Sequence, residues 1–377
     1  MKTPLAWRNV TQSKVRSAIA LCGISFAILL IFMQLGFYAA ARTSATNVYD
    51  ALDFDVLVRS PQYVFLARAA QFPRNRLEQV RAIEGVQSVA PIWIGLGEWR
   101  SVESRERWNI LTVGVDPAQR PFRDARVNDE LPLLHERDTV LSDALSRPEH
   151  GPLAPGVISE VQHHRVRIVA RYAIGAGFIA GATLVTGRDT FLNIFAGAAS
   201  SDRISAGLVK LAPGTSPEAI AAEINRMIAP AATAVTRAQL AAEEQHFWLS
   251  VKPIGIMFTS GVLIAFIAGA VILYQVLASE VQNRLREYAT LKALGYGDRY
   301  VYGVIAQQAL IFISLGFVPA FLLAFVLYFL LRTQALVPVS MELMRAAGVL
   351  VLSGLMCLCA TFLAVRKLRA ADPADLF

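Results

Sequence analysis

Long apolar segments and one broad stretch of mixed polarity divide this chain. Each apolar segment has at least 20 residues and contains no Asp, Glu, Lys or Arg. As helices, such segments are long enough to cross a hydrocarbon core of about 30 Å. They occupy residues 17–41, 253–279, 300–331 and 346–365. The pattern predicts an integral membrane α-helical protein with four transmembrane helices in a 1+3 layout.

The stretch between the first two spans, residues 42–252, predicts a large extracytoplasmic α/β domain. Short β-branched runs that partly alternate in polarity predict strands, and they lie at residues 54–59, 109–115, 165–171 and 204–211. One helix is expected over residues 74–84 and another after a Ser-Pro-Glu cap that starts at Ser216. Because each helix adjoins a strand, we expect two small α/β lobes.

The end of this domain leaves two interpretations open. Thr236 can cap a helix that runs directly into the second span. Alternatively, that helix breaks near Pro253, because proline removes a helical hydrogen bond and clashes with the preceding turn. Glu243, Glu244 and His246 lie on this helix and are interpreted as an exposed polar face.

The formal net charge is +7, and the positions of the basic residues in the short segments indicate how the chain is oriented in a membrane. They precede the first span, separate the second from the third, and follow the fourth. Positive charge in short loops marks the cytoplasmic side of a membrane. The residues concerned are Lys2, Arg8, Lys14, Arg16, Arg284, Arg286, Lys292, Arg299, Arg366, Lys367 and Arg369. We therefore expect both termini in the cytoplasm, the large domain outside, and a lipid membrane rather than nucleic acid as the partner.

This orientation completes the predicted domain order. Residues 1–16 form a cytoplasmic amphipathic segment, and residues 280–299 form a second cytoplasmic segment between the second and third spans. Residues 332–345 form a short periplasmic loop, and residues 366–377 form a cytoplasmic tail. The chain therefore presents its only long extramembrane domain on the outer side.

No catalytic motif accompanies this architecture. The sequence contains neither the G-x-x-x-x-G-K-[ST] phosphate loop nor a G-x-S-x-G nucleophile motif. His163 and His164, with His150 and Glu160, suggest a metal site, but adjacent residues of a strand point to opposite faces. We interpret them as a solvated edge. The chain is thus expected to be non-catalytic, to bind no metal, and to hold no cofactor of its own.

Small residues recur at four-residue spacing on two of the spans. Ala265 and Gly269 lie on the second span, and Gly316, Ala320 and Ala324 lie on the third. Such faces allow helices to approach closely. They are explained equally well by packing within the chain and by packing in a dimer.

Residues 280–299 read EVQNRLREYATLKALGYGDR and are the most informative polar segment. They begin as a helix with Leu285, Tyr288 and Leu291 spaced three apart. A Gly-Tyr-Gly break at Gly295 follows, and Asp298 is expected to cap the next helix. A short amphipathic helix of this kind fits the groove of a soluble partner. A linker that lies on the membrane surface is the alternative.

This segment resembles the cytoplasmic coupling segment of the MacB/FtsX superfamily of ABC-transporter permeases. Their pattern is roughly Arg-x-x-Glu-(apolar)₃-(basic)-Ala-Leu-Gly. The resemblance implies that an ATPase-coupling site comprises Arg284, Arg286, Glu287, Tyr288, Leu291, Lys292, Ala293, Leu294 and Gly295. Within the superfamily the chain is most similar to the DevC type, through ATLKALGYGDRY, DTVLSDALSRPEHG, GFIAGATLVTGRDTFLNIF and AGAVILYQVLASEV. It departs from that type in a more basic Asn283–Arg286 run and in Ala182, where a more polar turn is usual.

The resemblance implies a permease subunit in the bacterial inner membrane, acting as a homodimer with a separate ABC ATPase that binds ATP and Mg. It also implies a periplasmic adaptor (a membrane fusion protein), an outer-membrane channel, and mechanotransmission from the ATPase to the periplasmic domain. An efflux substrate of lipid-like or amphiphilic character is expected. The alternatives are an FtsX-like relay that controls an envelope hydrolase, a lipoprotein-releasing permease, and, more distantly, a membrane-anchored enzyme.

Overall fold

The computed structural model describes residues 7, 14–175, 180–284, 287, 290 and 297–370. Two compact units divide the chain. One comprises Met1–Ala40 with Ile254–Phe377, and the other comprises Ala41–Pro253. Most of the predicted amphipathic segment at the N-terminus and of the predicted C-terminal tail lies outside the described residues.

The described secondary structure is a set of long helices at both ends of the chain and a strand-rich middle. The α-helices are α1 Lys14–Ser44, α2 Asn47–Ala51, α3 Arg74–Val80, α4 Ala125–Glu130, α5 Arg188–Ile194, α6 Pro217–Ile228, α7 Arg237–His246, α8 Ile254–Asn283, α9 Asp298–Gln334 and α10 Leu343–Ala370. The strands are β1 Val56–Arg59, β2 Phe72–Pro73, β3 Val86–Arg100, β4 Arg107–Val115, β5 Thr139–Asp143, β6 Ile158–Val161, β7 His164–Tyr172, β8 Ala182–Gly187, β9 Arg203–Ile204, β10 Ala206–Leu211 and β11 Thr233–Thr236.

Four helices among the described residues are long and apolar enough to cross a membrane. They are α1, α8, the part of α9 from Tyr302 to Gln334, and the part of α10 from Leu343 to Arg366. Each continues past the apolar segment that predicted it, because the polar flanks can extend the same ladder of backbone hydrogen bonds. Together with a sheet-rich middle, these helices fit a membrane protein with a large extramembrane domain.

The small residues of the spans lie between helices of the same chain. A Cβ on Gly269 of α8 would contact Met356 of α10 and would lie 2.9 Å from the Cβ of Ala27 in α1. A Cβ on Gly316 of α9 would lie 3.0 Å from the Cγ2 of Ile24 in α1. Ala265, Ala320 and Ala324 are buried in the same apolar core. The close approaches therefore pack the chain's own four helices together.

Replacing Gly269 with leucine should destabilise this helical unit by about 1–3 kcal/mol, the usual cost of overpacking a filled core. Gly348→Leu is the matched control, because a Cβ at that position meets no atom within 4 Å. The melting temperature of the detergent-solubilised protein measures the effect. Equal melting temperatures for the two variants would contradict this assignment of Gly269.

The middle unit is built on one nine-stranded sheet among the described residues, in the order β11-β1-β10-β3-β4-β8-β5-β7-β6. The four predicted strands are confirmed as β1, β4, β7 and β10. Most neighbours are antiparallel, while β4–β8 and β5–β7 are parallel. The long strand β3 belongs to both predicted lobes, since it pairs with β10 at one end and with β4 along the other. A single sheet therefore joins the regions that the sequence assigned to separate lobes.

Strand β3 also closes part of this sheet on itself. Its last residues pair with β6, as Trp99 with Val161 and Arg100 with Glu160. Six strands, from β3 round to β6, thus form a ring around an apolar core that contains Trp99 and Val161. Helices α3 and α6 cover the other end of the sheet, where Ile220, Ile224 and Ile228 are buried. The two ends of the unit therefore have different cores on one continuous sheet.

The sequence correctly predicted the N-caps of two helices, α6 and α7. Ser216 accepts a hydrogen bond from the Ala219 N–H at 3.3 Å and precedes α6. Thr236 and Gln239 form a reciprocal capping box at the start of α7. After α7 comes one turn of π-helix, Phe247–Val251, and then Lys252 is extended, with ψ of 142°. The helix therefore breaks before Pro253, because proline disfavours the helical conformation of the residue before it.

Two of the DevC-like stretches contact each other in this unit. The Asp143 carboxylate accepts hydrogen bonds from the Thr183 hydroxyl at 3.0 Å and from the Gly175 N–H at 2.8 Å. The His150 ring lies so close to Gly181 that a Cβ there would be 2.5 Å from the ring. The two stretches therefore pack together in the fold.

The interpretation of His150 as part of a solvated edge is wrong. Its side chain is buried, and its Nε2 lies 3.1 Å from the Asn109 carbonyl oxygen. The glycine at 181 provides the space for the ring. His164 instead contacts Asp138, with 2.7 Å between Nε2 and Oδ1. His163 has a positive φ of 68° in the turn between β6 and β7, so the two neighbouring histidines serve different local structures.

Candidate functional site

The predicted coupling segment starts where α8 ends. Glu280 in the last turn of α8 is buried, and its Oε2 lies 3.6 Å from the Arg284 Nε. The Arg284 Nη1 donates a hydrogen bond to the Glu287 Oε2 at 3.1 Å. Arg284 therefore lies between two carboxylates, one on each side along the chain.

This arrangement joins the Arg and Glu of the superfamily pattern in an ion pair. The Arg284 side chain is 12% exposed, whereas that of Glu287 is 60% exposed. Ion pairs at i,i+3 in exposed positions contribute only about 0.2–0.5 kcal/mol, so this pair does little for stability. The buried Glu280 holds Arg284, and the outward-facing Glu287 remains accessible to a partner.

Glu280 was not among the predicted site residues. A signal for it exists, because a carboxylate four residues before an arginine on a helix favours an ion pair. The superfamily pattern begins at the arginine and therefore does not include it. The predicted residues Arg286, Tyr288, Leu291, Lys292, Ala293, Leu294 and Gly295 lie outside the described residues.

The helix after this segment begins one residue earlier than the sequence predicted. Gly297 is the N-cap of α9, with an extended backbone, and Asp298 is the first helical residue. The prediction that Asp298 provides the cap is therefore wrong. Glycine is an acceptable N-cap.

A second cluster of ionisable groups lies in the middle unit, beside α7. The Glu244 side chain is only 1% exposed, so its assignment to an exposed polar face is wrong. The Tyr63 hydroxyl donates a short hydrogen bond to its Oε1, and the Tyr49 hydroxyl lies 2.6 Å from that of Tyr63. The Arg59 guanidinium stacks over the Tyr63 ring at 4.5 Å. Glu244 therefore ends a buried chain of hydroxyl groups.

The loop over residues 60–71 is what buries this carboxyl. Its Phe65 ring stacks on Phe247, with 4.8 Å between ring centroids. Burial raises the pKa of Glu244 to about 7, although the Tyr63 hydroxyl, the Leu66 N–H and the Arg59 charge each lower it. The carboxyl therefore exchanges its proton near neutral pH. Glu243, by contrast, is exposed and pairs with Arg59 at 2.5 Å.

Comparison with solved structures finds three chains that are similar to parts of this one. The periplasmic region of MacB from Actinobacillus actinomycetemcomitans is 11% identical, with a TM-score of 0.36, over 52% of this chain and 94% of that one. The extracellular domain of the noncanonic ABC-type transporter YknZ from Gram-positive bacteria is 13% identical, with a TM-score of 0.33, over 48% and 100%. A permease domain from Porphyromonas gingivalis is 14% identical, with a TM-score of 0.29, over 50% and 88%. No curated protein sequence matches the chain.

Two family models match successive parts of the chain. The MacB-like periplasmic core domain matches residues 17–227. The FtsX-like permease C-terminal model matches residues 244–373, which include the Arg284–Glu287 pair. The first model alone covers more than half of the 377 residues. The chain therefore belongs to the MacB/FtsX superfamily of ABC-transporter permeases.

Proposed function

We propose that this chain is the permease subunit of a MacB/DevC-type ABC exporter that carries a lipid-like or amphiphilic substrate. In this proposal a separate ATPase binds ATP and Mg and also binds the segment after α8. Its motion passes through the helices to the periplasmic domain. A homodimer of this chain works with a periplasmic adaptor and an outer-membrane channel.

The observation that carries the proposal is the Arg284–Glu287 pair. It lies directly after a membrane-type helix and leaves the Glu287 carboxylate exposed. A carboxylate and a basic residue at the end of a rigid helix suit docking to a soluble protein, because charge complementarity sets register and partner choice. The lack of a phosphate loop in the sequence agrees with hydrolysis on another chain.

The proposed topology follows from the basic segments. Both termini and the segment 280–299 lie in the cytoplasm, and the unit Ala41–Pro253 lies in the periplasm. All four apolar helices cross the inner membrane, one before the domain and three after it. Cysteine accessibility at Glu287 and at Arg226 tests this orientation, since the proposal requires the two positions to be labelled from opposite sides.

Copurification tests the function directly. We expect the chain, extracted in mild detergent, to bring down an ABC ATPase and to hydrolyse no ATP when it is purified alone. An adaptor that binds the periplasmic unit supports export. An envelope hydrolase bound there supports the FtsX-like relay instead, and lipoprotein cargo supports the lipoprotein-releasing class. ATP hydrolysis by the isolated chain would overturn the proposal.

A further inference from the structure

A groove in the middle unit is lined by apolar side chains and by two arginines. It has a volume of about 520 Å³, within the range of about 300–1,000 Å³ that is typical of small-molecule sites. Three parts of the unit line it: the loop 60–71, the middle of β3, and the segment from α5 to β9. None of its lining residues in the described part of the chain is an Asp or a Glu.

Most of the residues that line the groove are apolar, and some of them are open to solvent. Leu96 on β3 is 39% exposed, and its neighbour Ile94 is half-buried. Phe195 covers Gly95 so closely that a Cβ there would lie 2.6 Å from the ring. Glycine at this position therefore leaves the space that the Phe195 ring occupies beside β3. An open apolar surface of this kind favours a hydrocarbon chain over water.

The rim of the groove carries two arginines. Arg203 donates a hydrogen bond from Nη2 to the Gln71 carbonyl oxygen at 2.5 Å, which fixes its position. Arg68 is exposed, beside the loop's turn at Phe65. Neither guanidinium forms an ion pair with a carboxylate among the residues that the structure describes. Other arginines of this unit form ion pairs with carboxylates, for example Arg59 with Glu243.

We propose that this groove binds a single-chain amphiphile with an anionic head group. The chain lies along Leu96 and Phe195, and the carboxylate or phosphate head lies between Arg68 and Arg203. Guanidinium groups recognise both kinds of oxyanion through paired N–H donors. The inference rests on the proposed function, because it names the charge and shape of the exported substrate class.

Photo-cross-linking of the full-length protein in a neutral detergent tests the groove. The probes are diazirine-bearing palmitic acid, the alkyl phosphate of the same chain, and the corresponding uncharged alcohol. We expect both anionic probes to label peptides of the loop 60–71 and of β3 about tenfold more than the alcohol does. A roughly tenfold difference is the expected effect of losing one charged hydrogen bond. Comparing the acid with the phosphate distinguishes the two head groups.

Arg68→Glu should remove the preference for the anionic probes, whereas Arg226→Glu should not. Arg226 is an exposed arginine on α6 that lies outside the groove lining. The test uses Arg68 because Arg203 also donates a hydrogen bond to the Gln71 carbonyl oxygen. An unchanged melting temperature of Arg68→Glu shows that the fold is intact. Equal labelling by the alcohol, labelling unaffected by Arg68→Glu, or no label in these peptides would each overturn the proposal.

The two proposals fail in different ways. If an ABC ATPase copurifies and is stimulated but the groove takes up no anionic probe, only the inference about the substrate is wrong. If the groove is labelled as expected but no ATPase associates with the chain, the proposed function is wrong, and the groove is a binding site in a protein of another kind.

Discussion

Leu291→Asp is expected to abolish stimulation of the partner ATPase while the protein still inserts into the membrane. Leu291 belongs to the apolar series with Leu285 and Tyr288 that the sequence places on one side of the coupling helix. A carboxylate in an apolar interface loses its hydration without gaining a partner. Loss of such an anchor costs about 2 kcal/mol or more, or roughly a thirtyfold weaker complex.

The measurement is ATPase binding and stimulation by the purified permease in nanodiscs. Gln282→Asp is the control, because it adds the same charge at an exposed position in the last turn of α8. We expect the control to bind the ATPase as the wild type does. Normal stimulation by Leu291→Asp would mean that this face of the segment does not contact the ATPase.

Charge reversal at Glu287 separates a contact with the ATPase from a purely internal role. Glu287→Lys should weaken stimulation, since Arg284 then faces a like charge and the exposed carboxylate is lost. Glu287→Gln keeps the Arg284–Glu280 pair and removes the exposed carboxylate without adding a like charge. Weakened stimulation by Glu287→Gln supports a direct contact of the carboxylate with the ATPase, whereas normal stimulation would show that Glu287→Lys acts only through repulsion of Arg284.

Glu244 is expected to make the middle unit less stable as the pH rises. Burial raises its folded-state pKa to about 7, above the ordinary 4.5. The folded state therefore binds more protons than the unfolded state between these values. The stabilisation is complete below about pH 4.5 and is lost as the pH rises through about 7, up to about 3 kcal/mol in total.

Glu244→Gln should remove this part of the pH dependence, because an amide does not titrate. Glu223→Gln, at an exposed position on α6, is the matched control and should retain the wild-type profile. Thermal unfolding of the full-length protein, followed by tryptophan fluorescence across this pH range, provides the comparison. A wild-type profile that parallels that of Glu244→Gln would show that Glu244 does not titrate as described.

Much of the fold was predictable because its signals are local. Long uncharged runs fixed the four membrane-type helices, since the length of a run is itself the requirement. The caps at Ser216 and Thr236 located α6 and α7, because a side chain three residues or fewer from the N–H that it binds is visible in sequence. The coupling segment was likewise predicted from contiguous residues. Glu280, which pairs with Arg284, was missed because the superfamily pattern starts after it.

The errors and the open alternatives concern contacts between distant positions. Tyr63 and Glu244 are 181 residues apart, and nothing near Glu244 in the sequence indicates that a loop covers it. His150 is buried through Gly181, which belongs to another strand region. The pairing of Trp99 with Val161, which closes the ring of strands, is also invisible in a local pattern.

The sequence by itself therefore determined the class of protein and the four apolar helices, and it predicted the coupling segment, because these depend on composition and short-range spacing. Only the tertiary structure decided that Gly269 and Gly316 pack within the chain, that Glu244 is a buried carboxyl, and that two arginines border an apolar groove. The physical reason is that burial and electrostatic environment depend on which surfaces are in contact. Those contacts depend on the packing of the whole unit rather than on any one segment.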